Sequence, residues 1–134
     1  MPRSAVRTLI VDDSPEFIRA ACATLAGESE LTVVGTANSG FAAIRAIYEL
    51  HPDLVLMAVA MPGMDGVEAT RRVKELPGSP CVVLFTLENT GAIRAAARAA
   101  GADAVFPKGQ LGRSIADILH AVGGDPWSLH RSTA

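Results

Sequence analysis

Apolar and β-branched residues gather in five short clusters along the chain, at Val6 to Val11, Leu31 to Thr36, Leu54 to Val59, Cys81 to Thr86 and Ala104 to Phe106. Each has the length and composition of a strand. Between them the apolar positions recur with helical period, roughly over Pro15 to Leu25, Gly40 to Leu50, Val67 to Leu76, Thr90 to Ala100 and Leu111 to Val122. Local signals agree with that division. Ser14, Pro15 and Glu16 supply an N-cap, a first-turn proline and an early acid; Asn89 is placed to cap the fourth helix; Gly101 and Gly123 serve as stops.

Strict strand and helix alternation with short connections predicts an α/β fold with a parallel sheet and helices on both faces, since each crossover returns over the sheet in the right-handed sense. The runs Leu54 to Val59 and Val82 to Phe85 are continuously apolar, as strands buried on both faces must be. In such sheets the functional crevice lies at the carboxyl ends of the strands. The residues found there are Asp12 and Asp13, Ala58 followed by the turn Met61 to Gly66, Thr86, and Lys108 just beyond the fifth strand.

Composition narrows the function classes. The 134 residues are 49% hydrophobic and 19% charged, enough for one domain with a continuous core. A formal net charge of -2 carries no footprint for binding a nucleic-acid backbone, so no direct nucleic-acid contact is expected. No export pattern or membrane-length apolar run appears, which leads to the expectation of a cytoplasmic protein with no membrane association. Cys22 and Cys81 fall on apolar faces and read as small buried hydrophobes. From Gly123 onward the chain turns polar and is broken by Pro126, so residues 1–124 are read as the domain and 125–134 as a tail or linker stub, in which Trp127 is a groove-covering side chain.

Two adjacent carboxylates at one strand end call for a cation, because like charges about 4 Å apart repel by roughly 4 kcal/mol at an effective dielectric near 20. Mg²⁺, which takes one or two carboxylates and several waters, suits the place. Lys108 adds a second positive charge and Thr86 a hydroxyl donor, a set suited to phosphoryl chemistry. Singly, each has an ordinary reading as a helix-favouring acid, a solvated lysine or a strand-end threonine. A glycine-rich phosphate loop after the first strand, a Ser/His/Asp set and a metal-ligand spacing of His51, His120 and His130 are all missing. An enzyme or ligand-binding module holding a nucleotide or small anion in this flavodoxin-like crevice is the alternative of another class, and those absences count against it.

As a set, Leu9 to Asp13, Pro52 to Met57, Met61-Pro62-Gly63-Met64-Asp65-Gly66, Thr86 and Lys108 resemble the receiver domain of bacterial two-component response regulators, over about residues 5 to 123. The resemblance implies a flavodoxin-like (βα)5 fold with strand order 2-1-3-4-5, a regulatory domain and no enzyme of its own. It implies phosphorylation by a sensor histidine kinase and Mg²⁺ held by Asp13, by Asp12 through water and by the backbone carbonyl of Ala60. Thr86 would then move toward the phosphoryl group and Lys108 would pair with it. It also implies a helix 4, strand 5 and helix 5 face for homodimerisation or output, where Ala92 to Ala100 carries Arg94 and Arg98 one turn apart. The Lys108-Gly109 pair is found in family members joined to a DNA-binding output domain, so an output domain or effector protein is a further implied partner.

One position departs from the pattern. The phosphoacceptor should stand four residues before Pro62, and Ala58 is there. A methyl group takes no phosphoryl group, and neither Asp53, before the strand, nor Asp65, beyond the turn, is placed to substitute. Relay through position 58 is thus not expected, and loss of the third acid should weaken Mg²⁺ binding while relieving repulsion in the empty pocket. Two accounts explain Ala58: a natural pseudo-receiver working through protein binding, or an active receiver changed from aspartate to alanine. Retention of every other motif residue favours the second. A second departure is Val105 at the family's usual aromatic switch position, with Phe106 beside it and Pro107 before the lysine.

Overall fold

A computed structural model describes residues 5–123 of the chain. Its elements alternate as β1 (Val6–Val11), α1 (Pro15–Ala26), β2 (Leu31–Ala37), α2 (Gly40–Leu50), β3 (Leu54–Ala58), α3 (Gly66–Lys74), β4 (Cys81–Thr86), α4 (Gly91–Ala100), β5 (Ala104–Pro107) and α5 (Ile115–Gly123). The strands form one parallel sheet in the order β2-β1-β3-β4-β5. This is the flavodoxin-like arrangement that the alternation and the motif set predict. The tail from 124 onward, with Trp127 and His130, lies outside the described residues.

Period-two alternation explains why both faces are covered. Leu9, Val11, Val55, Met57, Val82, Leu84 and Val105 belong to one core, packed with Ala43 and Ile47 of α2, Ala69 and Val73 of α3 and Ala97 of α4. Ile10, Leu54, Leu56, Val83, Phe85, Ala104 and Phe106 belong to the other, with Ala21 and Leu25 of α1 and Ile115 and Ile118 of α5. Cys22 and Cys81 are free thiols partly buried at the edge of this second core. Burial, with Asp103 beside it, pushes the Cys81 thiol up to about 12, so it stays protonated and acts as a hydrophobe.

The helix ends follow side-chain capping. Ser14, Ser39 and Asp65 accept from the amides of Phe17, Ala42 and Glu68 and start α1, α2 and α3. The α4 cap is Thr90, not Asn89: its hydroxyl accepts from the Ile93 amide at 3.2 Å. Gly101 stops α4 in the left-handed region at φ 99°. The largest departure from the sequence reading is at the last helix. Residues Lys108–Gln110 and Gly112–Ser114 form two 3-10 turns, and α5 begins only at Ile115. Gly109 and Gly112 raise the cost of regular helix there, while Leu111 still buries its side chain in the second core.

Gly66 is the glycine on which the strand-end geometry turns. Its amide donates to the Val59 carbonyl at 2.8 Å, and a Cβ there would lie 2.1 Å from the Ala58 carbonyl oxygen, a backbone atom with little freedom to yield. Gly66→Ala should therefore destabilise the domain by roughly 1–3 kcal/mol, the usual range for overpacking. Gly91→Ala, where an added Cβ meets nothing within 4 Å, is the control and should be neutral or slightly stabilising. Urea unfolding of the two variants measures the difference.

Candidate functional site

The sheet register brings the strand ends together. Val11 pairs with Met57, so Asp12 and Ala58 leave β1 and β3 side by side. Ala58 pairs with Phe85 and Thr86 with Pro107, which sets Thr86 next to the β3 exit and Lys108 one residue past β5. Asp12 is fully buried, Thr86 and Ala58 are buried, and Asp13 is exposed.

Asp12 is the centre of a closed circuit of contacts. Its Oδ1 accepts from the Ser14 amide at 2.8 Å, and Ser14 Oγ in turn accepts from the Phe17 amide at 3.2 Å. The Phe17 ring lies under the ammonium of Lys108, with Nζ 4.8 Å from the ring centroid. Lys108 Nζ closes the circuit on Asp12 Oδ2 at 2.7 Å. That last contact is an ion pair without hydrogen-bond alignment, so Oδ2 is a buried oxygen with no directed donor. Coulomb attraction at such a distance does not need alignment, but a lone pair remains open to a second cation.

The other predicted residues have distinct surroundings. Thr86 Oγ1 donates to the Glu88 carbonyl at 3.2 Å and accepts from the Glu88 amide at 3.1 Å, which ties it to the β4–α4 loop. Asp13 and Ala60 line one shallow cleft of about 450 Å³ with Val59, Met61, Pro62 and Asp65. Asp65 is committed to capping α3 through Oδ1, at 2.8 Å from the Glu68 amide. Asp53 lies at the other end of β3, where its Oδ2 accepts from the Arg7 amide at 2.9 Å. Asp53 is thus remote from the strand-end cleft, whereas Asp65 borders it while serving as the α3 cap. The more enclosed cavity, about 290 Å³, is also at that far pole, lined by Tyr48, His51, Asp53, Pro77 and Pro80 among others. It contains none of the strand-end residues.

The donor set fits a hard divalent cation of modest demand. Among the described residues no three His, Cys, Asp or Glu side chains converge, so two carboxylates, a carbonyl and water are what this chain offers. Mg²⁺ accepts such a set. The undirected buried oxygen of Asp12 is the structural mark of that capacity.

Phe17 was not marked by the sequence pattern, where it reads as one more apolar position on α1. Its place against Lys108 depends on the Ser14 cap and on Phe85, whose ring centroid is 6.5 Å away. Phe106 extends the group, 6.1 Å from Phe85, and packs in the second core, whereas Val105 is buried in the first. The Phe106-Pro107 bond is trans, as no cis peptide occurs among the described residues.

With fold and pocket in view, the chain belongs to the response regulator receiver domain family, whose model matches residues 8–120. It is similar to a protein-glutamate methylesterase/protein-glutamine glutaminase of Nocardioides sp., 36% identical over 123 residues, covering 87% of this chain and 34% of that protein. A second relative of that description, from Myxococcus xanthus, is 40% identical over 109 residues, covering 81% of this chain and 31% of its own length. The chain thus spans about a third of the length of these relatives. Among solved structures, the response regulator domain of Thermotoga maritima CheB matches with a TM-score of 0.81 and 26% identity, over 92% of this chain and 100% of that one. The signal receiver domain of the response regulator NarL from Mycobacterium tuberculosis matches at 0.78 with 29% identity, over 91% and 99%. Domains of this family are regulatory: histidine kinases phosphorylate them, they bind Mg²⁺ at the acidic site, and they are connected to output domains. No helix among the described residues is long and apolar enough to cross a membrane.

Removing the ammonium from this pocket strands a buried carboxylate. Lys108→Met should cost about 2–3 kcal/mol, somewhat under the 3–5 typical of a fully buried broken pair because Lys108 keeps 18% of its side chain exposed. Adding Asp12→Asn in that background should recover most of the loss, and a urea-denaturation double-mutant cycle reads the coupling.

Proposed function

We propose that this chain is a receiver module whose pocket is complete except for the phosphoacceptor, so that it takes no phosphoryl group at position 58 and rests in its unphosphorylated state. The observation that carries this reading is Ala58 as the last residue of β3, beside a fully buried Asp12 and its Lys108 partner. A methyl group offers no nucleophile; Asp53 is bound to the Arg7 amide at the far end of β3, and Asp65, although it borders the cleft with Asp13 and Ala60, is engaged by the Glu68 amide as the cap of α3. In the site, Asp13, the Ala60 carbonyl and, through water, Asp12 would hold Mg²⁺, which would supply positive charge to neutralise phosphoryl oxygens. Thr86 and Lys108 are the hydroxyl and the ammonium that would meet a phosphoryl group. With two acids in place of three, Mg²⁺ binding is weaker than in a receiver with the acceptor carboxylate.

Retention of Asp12, Asp13, Thr86 and Lys108 around one missing carboxylate favours a working receiver altered at a single side chain. A second reading, a pseudo-receiver acting through protein contacts, draws on the Asp12–Lys108 pair: the pocket is neutralised from within and stands without an acceptor. In the first reading the partners are a sensor histidine kinase and an output domain or effector; in the second they are proteins bound without phosphorylation. The contact face is that of α4, β5 and α5. Ala92, Ala95, Ala96 and Ala99 are exposed along α4, and Leu87 just before it is 83% exposed, a surface that permits close approach of a second copy or an effector.

Intact mass after incubation with Mg²⁺ and a small phosphoryl donor tests the reading. The protein should gain no phosphoryl group, and its Ala58→Asp version should gain one. Phosphorylation of the unaltered chain would overturn the proposal. Failure of both versions would transfer the argument to the pseudo-receiver.

A further inference from the structure

We infer that Phe17 is a positioning residue for Lys108: its ring face, together with Asp12 Oδ2, holds the ammonium over the acid pocket and so sets how strongly Lys108 opposes a divalent cation there. The inference rests on the reading of Asp12 and Asp13 as the metal site. Four links carry it. The Asp12 carboxylate fixes the Ser14 amide, Ser14 fixes the Phe17 amide, Phe17 lies 4.8 Å from Lys108 Nζ, and Lys108 returns to Asp12 at 2.7 Å. The half-buried ring packs on the second core with its centroid 6.5 Å from that of Phe85, which is itself fully buried.

The physical consequence has a sign. A cation on a ring face is attracted by the negative face of the π system. Here that attraction favours the same ammonium position that neutralises Asp12, so ring and carboxylate act together. With no carboxylate at position 58, Asp12 is the acid on which Lys108 rests, and an entering divalent cation must share or displace that ammonium. Loosening the seat therefore helps the metal. A leucine at 17 fills a similar volume and keeps the helix start, but has no π face; a tyrosine keeps the face.

Calorimetric titration of Mg²⁺ at one fixed ionic strength into the protein, Phe17→Leu, Phe17→Tyr, Lys108→Met and the Phe17→Leu/Lys108→Met double variant tests this. The series is repeated in an Ala58→Asp background, with thermal unfolding to verify the fold of each. Phe17→Leu should bind Mg²⁺ roughly three-fold more tightly, the size of a partly exposed cation–π contact, and Phe17→Tyr should match the parent. In Lys108→Met the Leu substitution should add nothing, because the cation it positions is gone. Equal affinities for Leu and Tyr variants, or a Leu effect that survives Lys108→Met, would overturn the role of Phe17 and leave the metal site standing. Absence of Mg²⁺ binding in both backgrounds would overturn the metal-site reading and this inference with it.

Discussion

The contact between Asp12 and Lys108 is the constraint around which the pocket is arranged. A carboxylate with no exposure is tolerable only if its charge is compensated on the spot. Here Oδ1 receives the Ser14 amide and Oδ2 the ammonium. The first of these contacts orders the turn into α1, and the second holds the first residue after β5 against the end of β1. Two strands that are not neighbours in the sheet are thereby tied across its edge, and the crevice between them is bounded by charges of both signs.

That pocket is possible because the sheet beneath it leaves no slack. Each strand sends alternate side chains into two separate cores, so shifting any strand by one residue would exchange its two faces and expose the mismatch. Register then fixes Asp12, Ala58, Thr86 and Lys108 as the residues emerging at one rim. Gly66 permits α3 to begin directly against the β3 exit, and the turn from Met61 onward is held by this approach. The two cores are built beneath this rim, and the methyl group of Ala58 packs within the first of them.

The strands and the four strand-end positions were legible in the sequence because their signal is local: apolar runs, turn residues and a motif at fixed spacing. Ser14 as a cap was legible for the same reason. The start of α5 was not, since Leu111 has the periodicity of a helix while Gly109 and Gly112 break its backbone into 3-10 turns. Asn89 and Thr90 are both good caps, and only the geometry of the loop selects Thr90. Thr86 was legible as a strand-end hydroxyl, but its double engagement by Glu88 was not, because it depends on the path of the β4–α4 loop. Phe17 was beyond reach altogether, because its meeting with Lys108 requires α1 and the end of β5 to be placed in space. The place of Ala58 at the carboxyl end of β3, by contrast, was legible from the apolar run and the turn that follows it.

The central claim is that Lys108 is seated on Asp12 and Phe17 before any metal enters. The sequence has two lysines, Lys74 and Lys108, and Lys74 is held by Asp103 and the Pro80 carbonyl, each at 2.8 Å, at another part of the fold. A ¹H–¹⁵N correlation spectrum of the lysine ammonium groups in metal-free protein addresses the claim directly, with Lys74 as internal control. The account predicts an exchange-protected Lys108 signal, shifted upfield by the Phe17 ring and displaced when Mg²⁺ is added. A Lys108 ammonium lost to rapid exchange, while that of Lys74 remains visible, would contradict it.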